Sequence, residues 1–192
     1  MTPLERRHVV KALVADRGDL LVVAGLGSTA YDLFAAGDHP ANFYLWGAMG
    51  GAAMIGLGLA LAQPRRPVLV VTGDGEQLMG MGALATIGAQ RPANLTVAVI
   101  DNERYGETGM QQSHTALGTD LVAVAKACGI PAASAIRSEA ELQAFQAQLR
   151  RVAGPVFGLI KVSSENPPRV LPARDGVYLK NRFRQSLGFD VT

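Results

Sequence analysis

The sequence lacks several features that would point to particular classes of protein. Its 192 residues include a single cysteine, Cys128, which excludes an internal disulfide and favours a reducing compartment such as the cytoplasm. Charged residues make up only 18% of the chain and the formal net charge is +2, which argues against nucleic-acid binding. The charges near the N-terminus are not followed by an apolar run of roughly 7–15 residues, so no secretory signal is expected.

A long uncharged stretch is present at 45–62. It reaches the lower limit for a membrane span, about 18 residues, and Gly47 and Gly51 have the spacing of helix-dimerising transmembrane motifs. Five of its residues are glycine, however, and its first turn is not expected to be helical. We therefore expect no membrane span but a helix from about Gly51, in which Gly56 and Gly58 allow close packing against another subunit.

The chain alternates between short β-branched apolar runs and segments with helical spacing. With 48% hydrophobic residues, it suits one domain with its own core. The pattern predicts an α/β fold: a doubly wound, mostly parallel sheet of about six strands with helices on both faces. We expect this domain over 1–165, including a capped helix at 138–152, and an irregular basic tail over 166–192 that is solvated or contacts a partner.

The most informative stretch is 68–109. Apolar runs at Val68–Thr72 and Leu95–Ile100 flank a helix-patterned segment, which predicts a βαβ unit with parallel strands. Both strands would then end at one edge of the sheet, bringing Asp74 and Asn102 together. Their oxygens suit Mg²⁺, which binds through one or two carboxylates and substrate phosphates. The helix after Gly75 would direct its positive end at a diphosphate.

A second glycine turn, Gly25–Ala30, fits the pattern G-x-G-x-x-A after a strand. This pattern is typical of dinucleotide-binding domains, and it supports an alternative hypothesis, an NAD-dependent oxidoreductase domain. The acidic residue expected about twenty positions later is missing, because Leu45 and its neighbours are uncharged. The turn would equally suit a diphosphate, to which Ser28, Thr29 and backbone N–H groups could bind.

Three segments together resemble the diphosphate-binding domain of thiamine diphosphate-dependent enzymes. Gly73-Asp74-Gly75 followed by Asp101-Asn102 is similar to the signature of that family. The segment 47–50, Gly-Ala-Met-Gly, resembles the one that bends the cofactor. The segment 102–109 resembles the β subunits of sulfopyruvate and phosphonopyruvate decarboxylases. The resemblance covers roughly residues 20–165.

The resemblance implies thiamine diphosphate and Mg²⁺ as cofactors. The implied metal ligands are Asp74, Asn102 and the backbone carbonyl of Arg104. The implied cofactor-binding residues are Ser28, Thr29, Gly47, Met49, Gly73, Asp74, Gly75, Asn102 and Tyr105. Met49 would be the wedge under the bent cofactor, and Glu107 and His114 are candidates for substrate contact and proton transfer. Glu76, directly after the turn, departs from the family pattern, and the sequence offers no reason for its charge.

The implied activity is decarboxylation of a small 2-oxo acid similar to sulfopyruvate or phosphonopyruvate. Relatives activate the cofactor with a glutamate on a pyrimidine-binding domain, and none of the seven glutamates here fits that role. We therefore expect a separate α-type subunit to supply it within a homo- or hetero-oligomer. A non-catalytic subunit that only holds the cofactor is the remaining alternative.

Overall fold

The computed structural model describes residues 3–149 and 154–191. The strands are β1 (Leu21–Ala24), β2 (Asn42–Tyr44), β3 (Val68–Gly73), β4 (Leu95–Asp101), β5 (Arg104–Tyr105), β6 (Gln111–Gln112), β7 (Ala132–Ile136) and β8 (Val156–Lys161). The helices are α1 (Arg6–Leu13), α2 (Ser28–Ala35), α3 (Ala52–Ala62), α4 (Asp74–Met79), α5 (Ala83–Gln90), α6 (Leu121–Ala127), α7 (Glu139–Gln146) and α8 (Gly176–Ser186).

Six strands form one parallel sheet in the order β2-β1-β3-β4-β8-β7. The central strands β1 and β4 are buried along their whole length, as expected for a parallel sheet covered on both faces. One apolar cluster includes residues of α3, α5 and α6, and a second includes residues of α1, α2 and α7. The predicted α/β fold, with about six strands and helices on both faces, is confirmed.

The central βαβ unit is present, but its helical part is divided. The chain between β3 and β4 forms α4 and α5 rather than one helix. At the break, a Cβ built on Gly80 would lie 2.1 Å from the carbonyl oxygen of Gly50. The loop that contains Gly50 therefore approaches this backbone closely, which only glycine permits.

Two helices, α1 and α7, begin at side-chain caps. Leu4 forms a β-bridge with Val162, and the Glu5 carboxylate caps α1 by accepting from two backbone N–H groups, so α1 begins at Arg6. The capping box predicted at Ser138 is confirmed at the start of α7. The end predicted for that helix lies outside the described residues.

The prediction of an irregular tail was wrong for 176–186, which forms α8. The Asp175 carboxylate accepts from the N–H groups of Val177 and Tyr178 and caps this helix. Leu179 and Phe183, four residues apart, are buried against the domain. Because α8 contacts the edge strand β2, the tail covers a strand edge that would otherwise be open.

A packing contact within this chain accounts for one of the two glycines in α3. A Cβ on Gly56 would lie 2.1 Å from Cγ2 of Val70 in β3, whereas Gly58 has open space around it. The expectation that another subunit accounts for Gly56 is therefore wrong, since β3 already requires a glycine there. Within the described ranges, no helix combines the length and apolar character needed to cross a bilayer.

Candidate functional site

Two polar side chains lie at the edge of the sheet where β3 and β4 end. Gly73, the last residue of β3, pairs with Ile100 of β4. Asp74 begins α4, and Asn102 directly follows β4. Both residues line one pocket, named here the edge pocket, at the place where open parallel sheets bind ligands.

The edge pocket is partly enclosed, with a cavity of about 160 Å³ that opens to solvent. Most of the residues expected at the site line it: Ser28, Thr29, Met49, Gly73, Asp74, Gly75, Asn102, Arg104, Tyr105 and Glu107. Gly47 and His114 are not among the lining residues. Seven other lining residues were not among the predicted site residues: Arg6, Leu26, Asp32, Glu76, Ile100, Gly106 and Thr108.

Asp74 is a buried carboxylate, only 2% exposed. Its pKa is raised to about 6, chiefly by burial and also by the nearby Asp101 carboxylate, while a hydrogen bond from Ser113 acts in the opposite direction. The charged form is therefore poorly solvated in the metal-free chain. A cation bound at this carboxylate would compensate for the lost solvation.

A network of hydroxyl groups holds Asp74 in place, and sequence analysis missed it. Ser113 Oγ donates to Asp74 Oδ2, and Thr115 Oγ1 lies 2.8 Å from both Ser113 Oγ and Asp101 Oδ1. Lys161 Nζ lies 2.7 Å from Asp101 Oδ2. Ser113 and Thr115 lie in a loop without regular pattern, 39 and 41 positions from Asp74, so only the folded chain shows their role.

A tight turn after β4 positions Asn102 and Arg104. Asn102 Oδ1 accepts from the Arg104 N–H at 3.0 Å, and Glu103 between them adopts φ 61°. Glu103 is held there by an ion pair with Lys161. The amide oxygen keeps a second lone pair, so the oxygens of Asp74 and Asn102 together form a donor set that suits Mg²⁺.

Glu76 connects two glycine turns, which gives a structural reason for its presence. Its Oε2 accepts from Leu26 N–H at 3.1 Å and from Thr72 Oγ1 at 2.9 Å. A Cβ on Gly25 would lie 1.7 Å from that oxygen, so glycine is required there. Burial raises the pKa of Glu76, and the bonds from Thr72 and Leu26 oppose the rise.

Met49 lines the edge pocket next to the Gly73–Gly75 turn. Its side chain is 40% exposed, and a Cβ on Gly75 would lie 3.7 Å from Met49 Cε. A large, flexible apolar side chain is therefore available to a ligand in the pocket. Gly47, with φ 77°, lies in the loop before it.

Tyr105 connects His114 to the edge pocket. Tyr105 lines the pocket, and its hydroxyl lies 2.9 Å from His114 Nδ1. The ring packs against Gly75, where a Cβ would lie 2.6 Å from Tyr105 Cε1. His114 is thus placed behind the pocket wall and in contact with a residue that forms it.

Glu107 lies over the other glycine turn. A Cβ on Gly27 would lie 3.0 Å from Glu107 Cγ, and Arg169 Nη2 lies 2.9 Å from Glu107 Oε2. Arg169 also stacks over the Tyr31 ring, 5.7 Å from its centroid. The basic tail therefore contacts this chain at the rim of the pocket.

The fold and the pocket together define an α/β domain with a ligand pocket at the carboxyl edge of a parallel sheet. Residues 27–160 match the family described as thiamine pyrophosphate enzyme, C-terminal TPP binding domain. The chain belongs to this family. The matched range includes most of the Gly25–Ala30 turn, so that turn is accounted for without a nicotinamide cofactor.

Curated proteins similar to this chain include two decarboxylases. The β subunit of sulfopyruvate decarboxylase from Methanococcus maripaludis is 35% identical over 187 residues, which cover 96% of this chain and 98% of the relative. Phosphonopyruvate decarboxylase from Streptomyces viridochromogenes is 39% identical over 171 residues, covering 86% of this chain and 42% of the relative. The alignment thus covers nearly all of one relative and less than half of the other.

A solved structure supports the fold. Benzoylformate decarboxylase from Polynucleobacter necessarius aligns with a TM-score of 0.71 and 20% identity, covering 88% of this chain and 35% of that one. At this identity the likeness concerns the fold alone.

Proposed function

We propose that the chain is the thiamine diphosphate- and Mg²⁺-binding subunit of a heteromeric 2-oxo acid decarboxylase. Its substrate would resemble sulfopyruvate or phosphonopyruvate, and its location would be the cytoplasm, as the single free cysteine indicates. The observation that carries the proposal is the buried Asp74 beside Asn102 in the edge pocket. The full-length similarity to a sulfopyruvate decarboxylase β subunit supports it.

The residues of the edge pocket can hold both cofactors. Asp74, the Asn102 amide and the carbonyl of Arg104 would bind Mg²⁺, while Ser28, Thr29 and the N-terminus of α2 would bind the diphosphate. When bound, thiamine diphosphate supplies a carbon nucleophile and an electron sink for decarboxylation. Met49 would support the cofactor from below, with Gly47, Gly73, Gly75 and Tyr105 around it.

The proton-transferring residues of this chain would lie at the rim. Glu107, neutralised by Arg169, can contact a substrate above the Gly27 turn. His114 can exchange a proton with Tyr105 through their hydrogen bond.

A partner subunit is part of the proposal. Among the described residues, two glutamates line the edge pocket, Glu76 and Glu107. Glu76 is engaged with Leu26 and Thr72, and Glu107 is paired at the rim. An activating glutamate would therefore come from a pyrimidine-binding α-type subunit, and the β-subunit name of the relatives supports this division.

Calorimetric titration of the purified chain tests cofactor binding. We expect thiamine diphosphate to bind with Mg²⁺ and to bind far more weakly in EDTA. NAD, titrated in parallel, should give no heat of binding. NAD binding, or thiamine diphosphate binding that does not respond to EDTA, would refute the proposed site.

A turnover assay tests the partner. We expect no 2-oxo acid decarboxylation by this chain with cofactors, and turnover after addition of the α-type subunit. Turnover by the chain alone would contradict the shared active site.

A further inference from the structure

A buried arginine lines the edge pocket without a role in the proposed function. Arg6, the first residue of α1, is 3% exposed and is one of the pocket-lining residues. A buried guanidinium is costly unless it is paired and hydrogen-bonded. The charged and hydrogen-bonding groups around Arg6 therefore indicate which ligand it could bind.

One carboxylate serves two arginines here. Arg6 Nε lies 3.1 Å from Asp32 Oδ2, and Arg7 Nε lies 3.2 Å from Asp32 Oδ1. The nearby Glu5 carboxylate is engaged with the N–H groups of Arg7 and His8. Two cations, Arg6 and Arg7, are therefore matched by two carboxylates, Asp32 and Glu5, and the group is formally neutral.

The two arginines differ in what they face. Arg7 is 27% exposed on its side chain, and its Nη2 donates to the Pro168 carbonyl at 2.8 Å. Arg6 borders the edge pocket instead. Its buried Nε has no hydrogen-bond partner in the described ranges, although it lies beside the Asp32 carboxylate. Arg6 therefore brings guanidinium N–H groups with unused donor capacity to the wall of the pocket.

The first backbone N–H groups of α2 are further hydrogen-bond donors at the same pocket. Ser28 and Thr29 begin this eight-residue helix and line the pocket, and its N-cap residue Gly27 provides no side-chain hydrogen bond to the first N–H groups. Free N–H groups at a helix N-terminus attract anions. A guanidinium fork matches a tetrahedral oxyanion with two parallel hydrogen bonds.

We propose that Arg6 forms a subsite for a tetrahedral oxyanion, a phosphoryl or sulfonyl group, on the buried wall of the edge pocket. The subsite deepens the proposed function and rests on it for the two ligands that could carry such a group. These are the cofactor diphosphate and the distal acid of a sulfonated or phosphonated 2-oxo acid.

Binding of small oxyanions to the purified chain tests the subsite. The probes are inorganic pyrophosphate and sulfoacetate, titrated separately by calorimetry in buffer with Mg²⁺ into the wild type, Arg6→Met, Arg6→Lys and Arg7→Met. We expect Arg6→Met to weaken at least one probe tenfold or more, and Arg6→Lys to weaken it less. Arg7→Met is the matched control, since it removes the other partner of Asp32, and it should change affinity less than twofold.

The two probes distinguish the two sources of the oxyanion. Loss for pyrophosphate alone assigns Arg6 to the cofactor diphosphate, and loss for sulfoacetate alone assigns it to the substrate. Unchanged affinity in Arg6→Met, equal losses in Arg6→Met and Arg7→Met, or a wild type that binds neither probe would each overturn the subsite.

Folding is checked separately by circular dichroism of the variants. Arg6→Met leaves a neutral Asp32–Arg7 pair, so the variant should remain folded. If it does not fold, Arg6→Lys is used in its place. Unchanged affinity of that variant for both probes would overturn the subsite. These titrations use no thiamine compound, so they are independent of the thiamine diphosphate titration that tests the proposed function. If pyrophosphate binds in an Arg6-dependent way but thiamine diphosphate does not bind, the proposed function is refuted and the subsite is retained.

Discussion

Replacing Asp74 with asparagine should stabilise the metal-free chain while abolishing its Mg²⁺ site. Burial raises the pKa of Asp74 from 3.8 to about 6, so folding disfavours its charged form. Protonated Asp74 therefore contributes its full share to the free energy of unfolding below pH 3.8. This contribution is lost as the pH rises through about 6. At neutral pH the loss is about 3 kcal/mol, at 1.36 kcal/mol for each pKa unit.

Asparagine removes this loss because it is neutral at every pH. Its amide oxygen can still accept from Ser113 Oγ, although a charge-assisted bond becomes a neutral one, at a cost of about 1 kcal/mol. Metal-free Asp74→Asn should therefore unfold with a free energy about 1–2 kcal/mol higher than that of the wild type at pH 7.5. The difference should shrink and change sign as the pH falls below about 4.5.

The assay is urea unfolding in EDTA, repeated across that pH range. Asp19→Asn is the control, since Asp19 is exposed and its replacement should leave the curve unchanged. With Mg²⁺ and thiamine diphosphate the order should reverse, because only the wild type gains stability from binding. An Asp74→Asn chain that is less stable than the wild type at pH 7.5 in EDTA would refute the reasoning.

Substitutions at four further positions test the packing and the site. Gly56→Ala should cost about 1–3 kcal/mol in urea unfolding, because the new Cβ meets Val70, while Gly58→Ala should stabilise by up to about 1 kcal/mol; equal effects would contradict the packing of α3. Glu76→Ala should cost about 2 kcal/mol or more, because its two donors lose their acceptor, and Glu76→Gln should cost less in the same assay; an unchanged Glu76→Ala chain would argue against the bridge. His114→Ala in the assembled enzyme should lower turnover at least tenfold without changing the dissociation constant of thiamine diphosphate, and equal losses of both would indicate a positioning role.

Local patterns were enough to predict most of the fold. The βαβ unit, the parallel order of its strands and the capping box at Ser138 follow from periodicity and from short sequence signals, and the structure confirms them. The tail helix α8 was predictable in principle. Asp175 is a good N-cap residue, and Leu179 and Phe183 have helical spacing.

The rest of the candidate site depends on contacts between distant parts of the chain. Ser113 reaches Asp74, and Arg6 reaches Asp32, only because the loop after β6 and the start of α1 both lie at the carboxyl edge of the sheet. Glu76 shows the same limit, since its partner Leu26 is 50 positions away. No pattern along the sequence encodes such pairs.

The charges around the edge pocket favour the divalent cation proposed above. Two of the lining carboxylates are paired, Asp32 with Arg6 and Glu107 with Arg169, whereas none of the ion pairs in the described ranges includes Asp74. A diphosphate brought beside this carboxylate would be repelled by about 4 kcal/mol for unit charges 4 Å apart at an effective dielectric constant of 20. A Mg²⁺ ion between them attracts both groups and reverses the sign of this term. Binding of Mg²⁺ and of the diphosphate should therefore be strongly coupled, each raising the affinity for the other by the same factor.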